Sequence, residues 1–76
     1  MRLKMNLGKK DGVFPNDVVG AIAGETGIPS RAIGRIDIFD RYAFVDVDEQ
    51  HSRTVIQGSD GKYKLRGKAV RLEVAV

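Results

Sequence analysis

The sequence contains no cysteine, a single histidine and only two prolines among its 76 residues. Without cysteine, neither a disulfide framework nor a thiolate zinc site can hold so small a fold together. One histidine, His51, excludes a histidine-rich metal site and leaves any catalytic dyad unsupported; it reads as an exposed helix residue. No apolar run approaches the roughly 20 residues that cross a bilayer, and no signal-peptide pattern opens the chain. A cytoplasmic setting with no membrane partner is therefore expected. Few prolines with 42% hydrophobic residues argue for a folded domain and against a disordered tail. The length allows one domain, residues 1–76, with no room for a second core.

Charge is mildly basic, 13 Lys+Arg against 10 Asp+Glu for a net +3. Its distribution says more than its sum. Arg2, Lys4, Lys9 and Lys10 all precede the first acid, Asp11, and Lys62, Lys64, Arg66, Lys68 and Arg71 cluster near the other end. If the two ends of the chain lie side by side, they form a basic patch able to track phosphates.

Hydrophobic periodicity places the elements. Leu3, Met5 and Leu7 alternate with Arg2, Lys4 and Asn6, a half-buried strand that ends in the turn residues Gly8 to Gly12. A helix starts near Pro15 or Asn16, with either Pro15 at its first position or Asn16 as its cap, and stops at Gly27. Its inward face is Val18, Val19, Ile22 and Ala23. Gly20 and Gly24 lie four apart in it, which suggests close approach of the helix to the sheet. Ile33 to Phe39 form a second strand with Ile36 and Ile38 inward, and Asp40-Arg41 is a connection so short that it demands an antiparallel hairpin. Tyr42 to Val47 follow as a third strand. Asp48 caps a second helix reaching about Gln57, with Val55 and Ile56 inward. Gly58 to Gly61 are a loop, Tyr63 to Arg66 a short extended piece, and Gly67-Lys68 a turn. Val70, Leu72, Val74 and Val76 then alternate with polar or small residues in a last strand.

The order βαββαβ with right-handed crossovers gives an α+β domain of ferredoxin-like type: a four-stranded antiparallel sheet with both helices on one face. Parity assigns to the other, open face Arg2, Lys4, Asn6, Arg35, Asp37, Phe39, Tyr42, Phe44, Asp46, Arg71 and Glu73. Tyr42 and Phe44 at i and i+2 thus stand together over an otherwise polar surface, where core filling is a poor explanation and base stacking a good one.

Several functions use such a fold. An acylphosphatase-like enzyme would need an Arg-bearing Gly-rich loop after the first strand, which Asn6, Lys9 and Lys10 imitate only superficially. A small-molecule regulatory or protein-interaction module dimerising through its sheet is the alternative, but the charged sheet face suits an apolar dimer interface badly. Asp46, Asp48 and Glu49 are close in sequence, yet Asp48 as a cap and Glu49 as a solvated first-turn residue leave no metal site.

RNA binding is supported by a family resemblance. Tyr42-Ala43-Phe44-Val45-Asp46-Val47 resembles the second part of the RNP1 element of RNA-recognition motifs (RRMs), although Asp40-Arg41 replaces its usual basic-Gly opening and the first strand supplies no aromatic. Asn6-Leu7-Gly8-Lys9-Lys10-Asp11-Gly12, then Val19-Gly20-Ala21-Ile22-Ala23, then Ile33 to Asp40 together resemble the DbpA-type RNA-binding domain found at the C-terminus of bacterial DEAD-box RNA helicases. The resemblance implies a monomeric RRM-like domain, excised from a longer chain, that tethers a helicase core in cis to structured, typically ribosomal, RNA. ATP and magnesium would then belong only to the parent core, since no Walker loop and no Asp-Glu-Ala-Asp run occur here. No cofactor is expected in this domain. The expected RNA-binding residues are Lys4, Lys9, Lys10 and Arg71 on phosphates, Tyr42 and Phe44 on bases, and Asn6 and Arg35 on base edges or 2′-hydroxyls, with Arg31 and Arg41 in a second tier.

Overall fold

Alternating burial along the first strand, β1 (Arg2–Met5), puts Leu3 and Met5 wholly inside while Arg2 and Lys4 stay half exposed. The computed structural model describes the backbone of residues 1–58 and 63–75. After β1 the order is α1 (Pro15–Thr26), β2 (Ile33–Ile38), β3 (Ala43–Val47), α2 (Glu49–Gly58), β4 (Tyr63–Leu65), β5 (Lys68–Val70) and β6 (Leu72–Val74). Four strands make one sheet in the order β2-β3-β1-β6, and every pairing in it is antiparallel. This is the expected α+β, ferredoxin-like arrangement. β4 and β5 form a separate two-stranded hairpin. No helix among the described residues is long and apolar enough to cross a membrane.

The core lies between the sheet and the two helices. Val18 and Ile22 of α1 and Val55 of α2 meet Leu3, Met5, Ala43, Val45 and Val47 there, with Ile36, Ile38 and Ile56 partly buried around them. α1 opens with Pro15 at its first position, where the missing N–H costs nothing. The Phe14 N–H donates to Asp17 Oδ2 at 2.9 Å, and Gly27 closes the helix with φ +75°.

The structure corrects several boundaries. The predicted last strand is two strands, because the chain breaks at Arg71: Val70 pairs in the hairpin with Tyr63, whereas Leu72 pairs with Met5. The turn between β4 and β5 is Arg66-Gly67, both with positive φ, one residue earlier than expected. β2 carries a register shift between Ile33 and Ile36, so Gly34 and Arg35 are exposed in succession. That bulge lets Ile33 and Ile36, of opposite parity, both turn inward. Residues 59–61 of the predicted loop, Lys62 after it and Val76 lie outside the described residues.

Gly20 and Gly24 are also corrected. Both are exposed, and a Cβ added at either would meet nothing within 4 Å, so neither permits a close approach to the sheet. They carry only the conformational cost of glycine in a helix, about 1 kcal/mol at Gly20 and less at Gly24 in the last turn. The double variant G20A/G24A is expected to raise the thermal midpoint by roughly 5–10 °C, read by circular dichroism.

Candidate nucleic-acid interface

The tip of the β2–β3 hairpin carries three rings. The Phe39 N–H donates to the Tyr42 carbonyl at 2.8 Å across Asp40-Arg41, which folds Phe39 back beside Tyr42. Their ring centroids are 5.1 Å apart in a stacked pair. Phe44 sits edge-on to both, at 5.8 Å from Phe39 and 5.5 Å from Tyr42. Phe39 is 43% exposed and Tyr42 38%, far more than core aromatics would be. Tyr42 and Phe44 were expected here. Phe39 shares the open face by parity, but only the closed hairpin tip makes it the third member.

The basic loop is fastened to this tip by its backbone. A 3-10 turn at Lys9–Asp11 docks on the hairpin, with the Lys9 N–H donating to the Phe39 carbonyl and the Lys10 N–H to the Asp40 carbonyl, both at 2.8 Å. Gly8 makes this possible. A Cβ there would lie 2.3 Å from the Phe39 carbonyl oxygen and 2.6 Å from the Tyr42 nitrogen. Asp11 secures the turn from behind: its carboxylate accepts the Lys68 ammonium at 2.6 Å and the Gly8 N–H at 3.0 Å. These two bonds, Lys68 foremost, hold its carboxyl below the ordinary aspartate value. Arg66 reaches Asp17 at 3.4 Å and the Gly12 carbonyl at 3.3 Å. Two basic residues of the C-terminal cluster, Arg66 and Lys68, are thereby engaged inside the molecule.

The remaining cations divide into engaged and available groups. Arg2 lies 4.6 Å over the Phe44 ring and pairs with Asp37 at 2.8 Å and Asp46 at 3.5 Å. Arg35 also pairs with Asp37, at 3.1 Å, while its side chain stays 74% exposed. Arg2, then Arg35, keep the Asp37 carboxyl below its ordinary value. Lys4 lies over Tyr42, 5.1 Å from the ring centre, on the strand that in the RNA-recognition pattern bears the missing aromatic. Lys4, Lys9, Lys10, Arg41 and Arg71 make no ion pair among the described residues.

Asn6 is occupied by the fold. Its Nδ2 donates to the Ala69 carbonyl at 3.1 Å and its Oδ1 accepts the Arg71 N–H at 2.7 Å, so it bridges the break between β5 and β6. One amide hydrogen and one lone pair remain for a ligand. The bridge fixes Arg71 beside a groove of about 810 Å³ along the β1–β6 edge, lined by Lys4, Asn6, Arg41, Tyr42, Arg71 and Glu73 among others. Lys4, Asn6, Arg41, Tyr42 and Arg71 are thus brought together, with Lys9, Lys10 and Phe44 adjoining through the hairpin tip. Arg31 is not: it lies in the turn Ser30–Ala32 before β2, at the far end of that strand from Phe39, roughly 20 Å away by strand rise.

Residues 2–74 match the family model described as the DbpA RNA binding domain. Over 54 residues, 71% of this chain, the sequence is 41% identical to the ATP-dependent RNA helicase DeaD of Buchnera aphidicola subsp. Schizaphis graminum. It is 37% identical over an equal stretch to the protein of that name from Haemophilus influenzae. The match spans 9% of the length of each relative.

Proposed function

The chain belongs to the DbpA RNA-binding domain family, and from that premise we propose that it is the accessory domain that tethers a helicase core in cis to structured, ribosomal RNA. The core would carry the ATP and magnesium chemistry, in a cytoplasmic protein. The observation that carries this reading is the hairpin tip, where three rings adjoin the exposed lysines of a docked loop. Rings alone would suit any apolar ligand, and lysines alone any anion. Together they suit a polyanion with flat bases.

In this reading Lys9, Lys10, Arg41 and Arg71 neutralise phosphates and release counterions. Tyr42, Phe44 and Phe39 take unpaired bases, and Lys4 moves from the Tyr42 ring to a phosphate when a base arrives. Arg35 and the spare amide capacity of Asn6 serve ribose or base edges. Asp37 and Asp46 hold Arg2 on the far half of the sheet, so the RNA path favours the hairpin tip and the β6 edge over the sheet centre. The charged open face also favours a monomer over a sheet-to-sheet dimer.

The test is a salt titration of an RNA stem-loop against wild type and K9A/K10A. Losing two phosphate contacts is expected to reduce the slope of log K against log salt by about 1.4–1.8. The thermal midpoint should stay within about 2 °C, because both side chains are exposed and make no ion pair among the described residues. An unchanged slope would remove the loop from the interface. Equal affinity for duplex DNA would reduce the domain to a general polyanion binder.

A further inference from the structure

Glu73 is unexplained by phosphate binding. It stands on β6 directly opposite Lys4 on β1, where a cross-strand ion pair is the ordinary outcome. Yet the Lys4 ammonium lies over the Tyr42 ring, and Glu73 makes no ion pair or side-chain hydrogen bond among the described residues. It is exposed in a groove whose other charged lining residues, Lys4, Arg41 and Arg71, are all cations. A carboxylate there repels an RNA backbone, so it weakens generic binding. What it adds is an acceptor with two oxygens side by side.

We propose that this groove takes one unpaired guanine, stacked on Tyr42 with Glu73 accepting its Watson–Crick edge; the inference rests on the RNA-binding reading above. Guanine alone among the four bases offers two adjacent N–H donors, at N1 and the 2-amino group, which match the two oxygens of a carboxylate. Adenine and cytosine set a ring acceptor beside their amino group, and uracil flanks its N–H with carbonyls, so each would point a lone pair at the carboxylate. The span fits as well. β3 and β6 flank β1, and Lys4 faces both Phe44 and Glu73 across it, so Tyr42 lies two strand spacings across and two residues along from Glu73, about 12 Å at the backbone, a distance a purine and a glutamate side chain bridge together. Arg41 and Arg71 are then placed for the flanking phosphates.

The experiment follows 15N–1H spectra of this chain, which register even weak binding, during titration with octauridines bearing one central variable nucleotide. Guanosine is expected to bind about tenfold tighter than adenosine, cytidine or uridine, and inosine, which lacks the 2-amino group, between them. E73Q should tighten the adenosine, cytidine and uridine strands by relieving repulsion while loosening the guanosine strand, so that the preference collapses toward one. Its thermal midpoint should not move. Equal binding of every strand by wild type, or a guanosine preference that survives E73Q, overturns the guanine site while the stem-loop titration keeps the RNA-binding reading intact. Absence of binding to both the strands and the stem-loop overturns that reading and this inference together.

Discussion

Gly8→Ala is expected to lower the thermal midpoint by roughly 10 °C or more and to abolish tight RNA binding. The reason is contact and not backbone conformation, since Gly8 has φ −146°, which any residue adopts. An added Cβ would sit 2.3 Å from the Phe39 carbonyl oxygen, 2.6 Å from the Tyr42 nitrogen and 2.8 Å from the Arg41 nitrogen. All three are backbone atoms of the hairpin tip, so no side chain can swing aside. The 3-10 turn must lift off, breaking the Lys9 and Lys10 bonds to the hairpin. Overpacking of this kind costs about 1–3 kcal/mol or more, and each kcal/mol is worth about 4–8 °C in a domain of this size. Thermal unfolding and a stem-loop titration check both effects. A variant with wild-type stability would mean that the loop is not fastened to the rings.

Removing the rings should cost affinity far more than stability. Tyr42→Ala is expected to weaken RNA binding by about ten- to a hundredfold, since each base–aromatic stack is worth about 1–3 kcal/mol. Phe39→Ala should also weaken it, because Phe39 stacks on Tyr42 and holds that ring in place. The double variant should lose less than the sum of the two, as contacting residues couple. Tyr42→Phe, which keeps the ring, should bind nearly as wild type. Both side chains are about 40% exposed, so the folded fraction at 25 °C should stay unchanged by circular dichroism. If Tyr42→Ala binds RNA normally, the rings are structural and the interface reduces to the basic loop.

The two variants probe different layers of legibility. Tyr42 and Phe44 are readable from sequence because strand parity is rigid: with Ala43, Val45 and Val47 inward, the rings have only the other face. Phe39 obeys that parity too, but its partnership with Tyr42 needs the hairpin to close. Arg35 shows the limit of parity, because the bulge after Ile33 sets its direction and no local pattern announces a bulge. Asn6 is polar and exposed, the usual signature of a contact residue, yet its amide mends a strand break at Arg71 that the smooth alternation from Val70 to Val76 hides. Arg66 and Lys68 look as basic as Lys9 and Lys10, and only their acids, Asp17 and Asp11, separate the engaged cations from the available ones.

Local rules therefore determined the order of the two helices and the first three strands, the buried aliphatics and the family motifs, since periods of 2 and 3.6 act over a few residues. Tertiary structure decided which of the candidate residues meet. The docking of the Lys9–Asp11 turn on a hairpin thirty residues later, the pairing of β1 with β6 that opens the groove, and the solitary carboxylate of Glu73 in it all depend on contacts between distant segments. Those contacts follow from packing a whole chain around one core, which no short window of sequence contains.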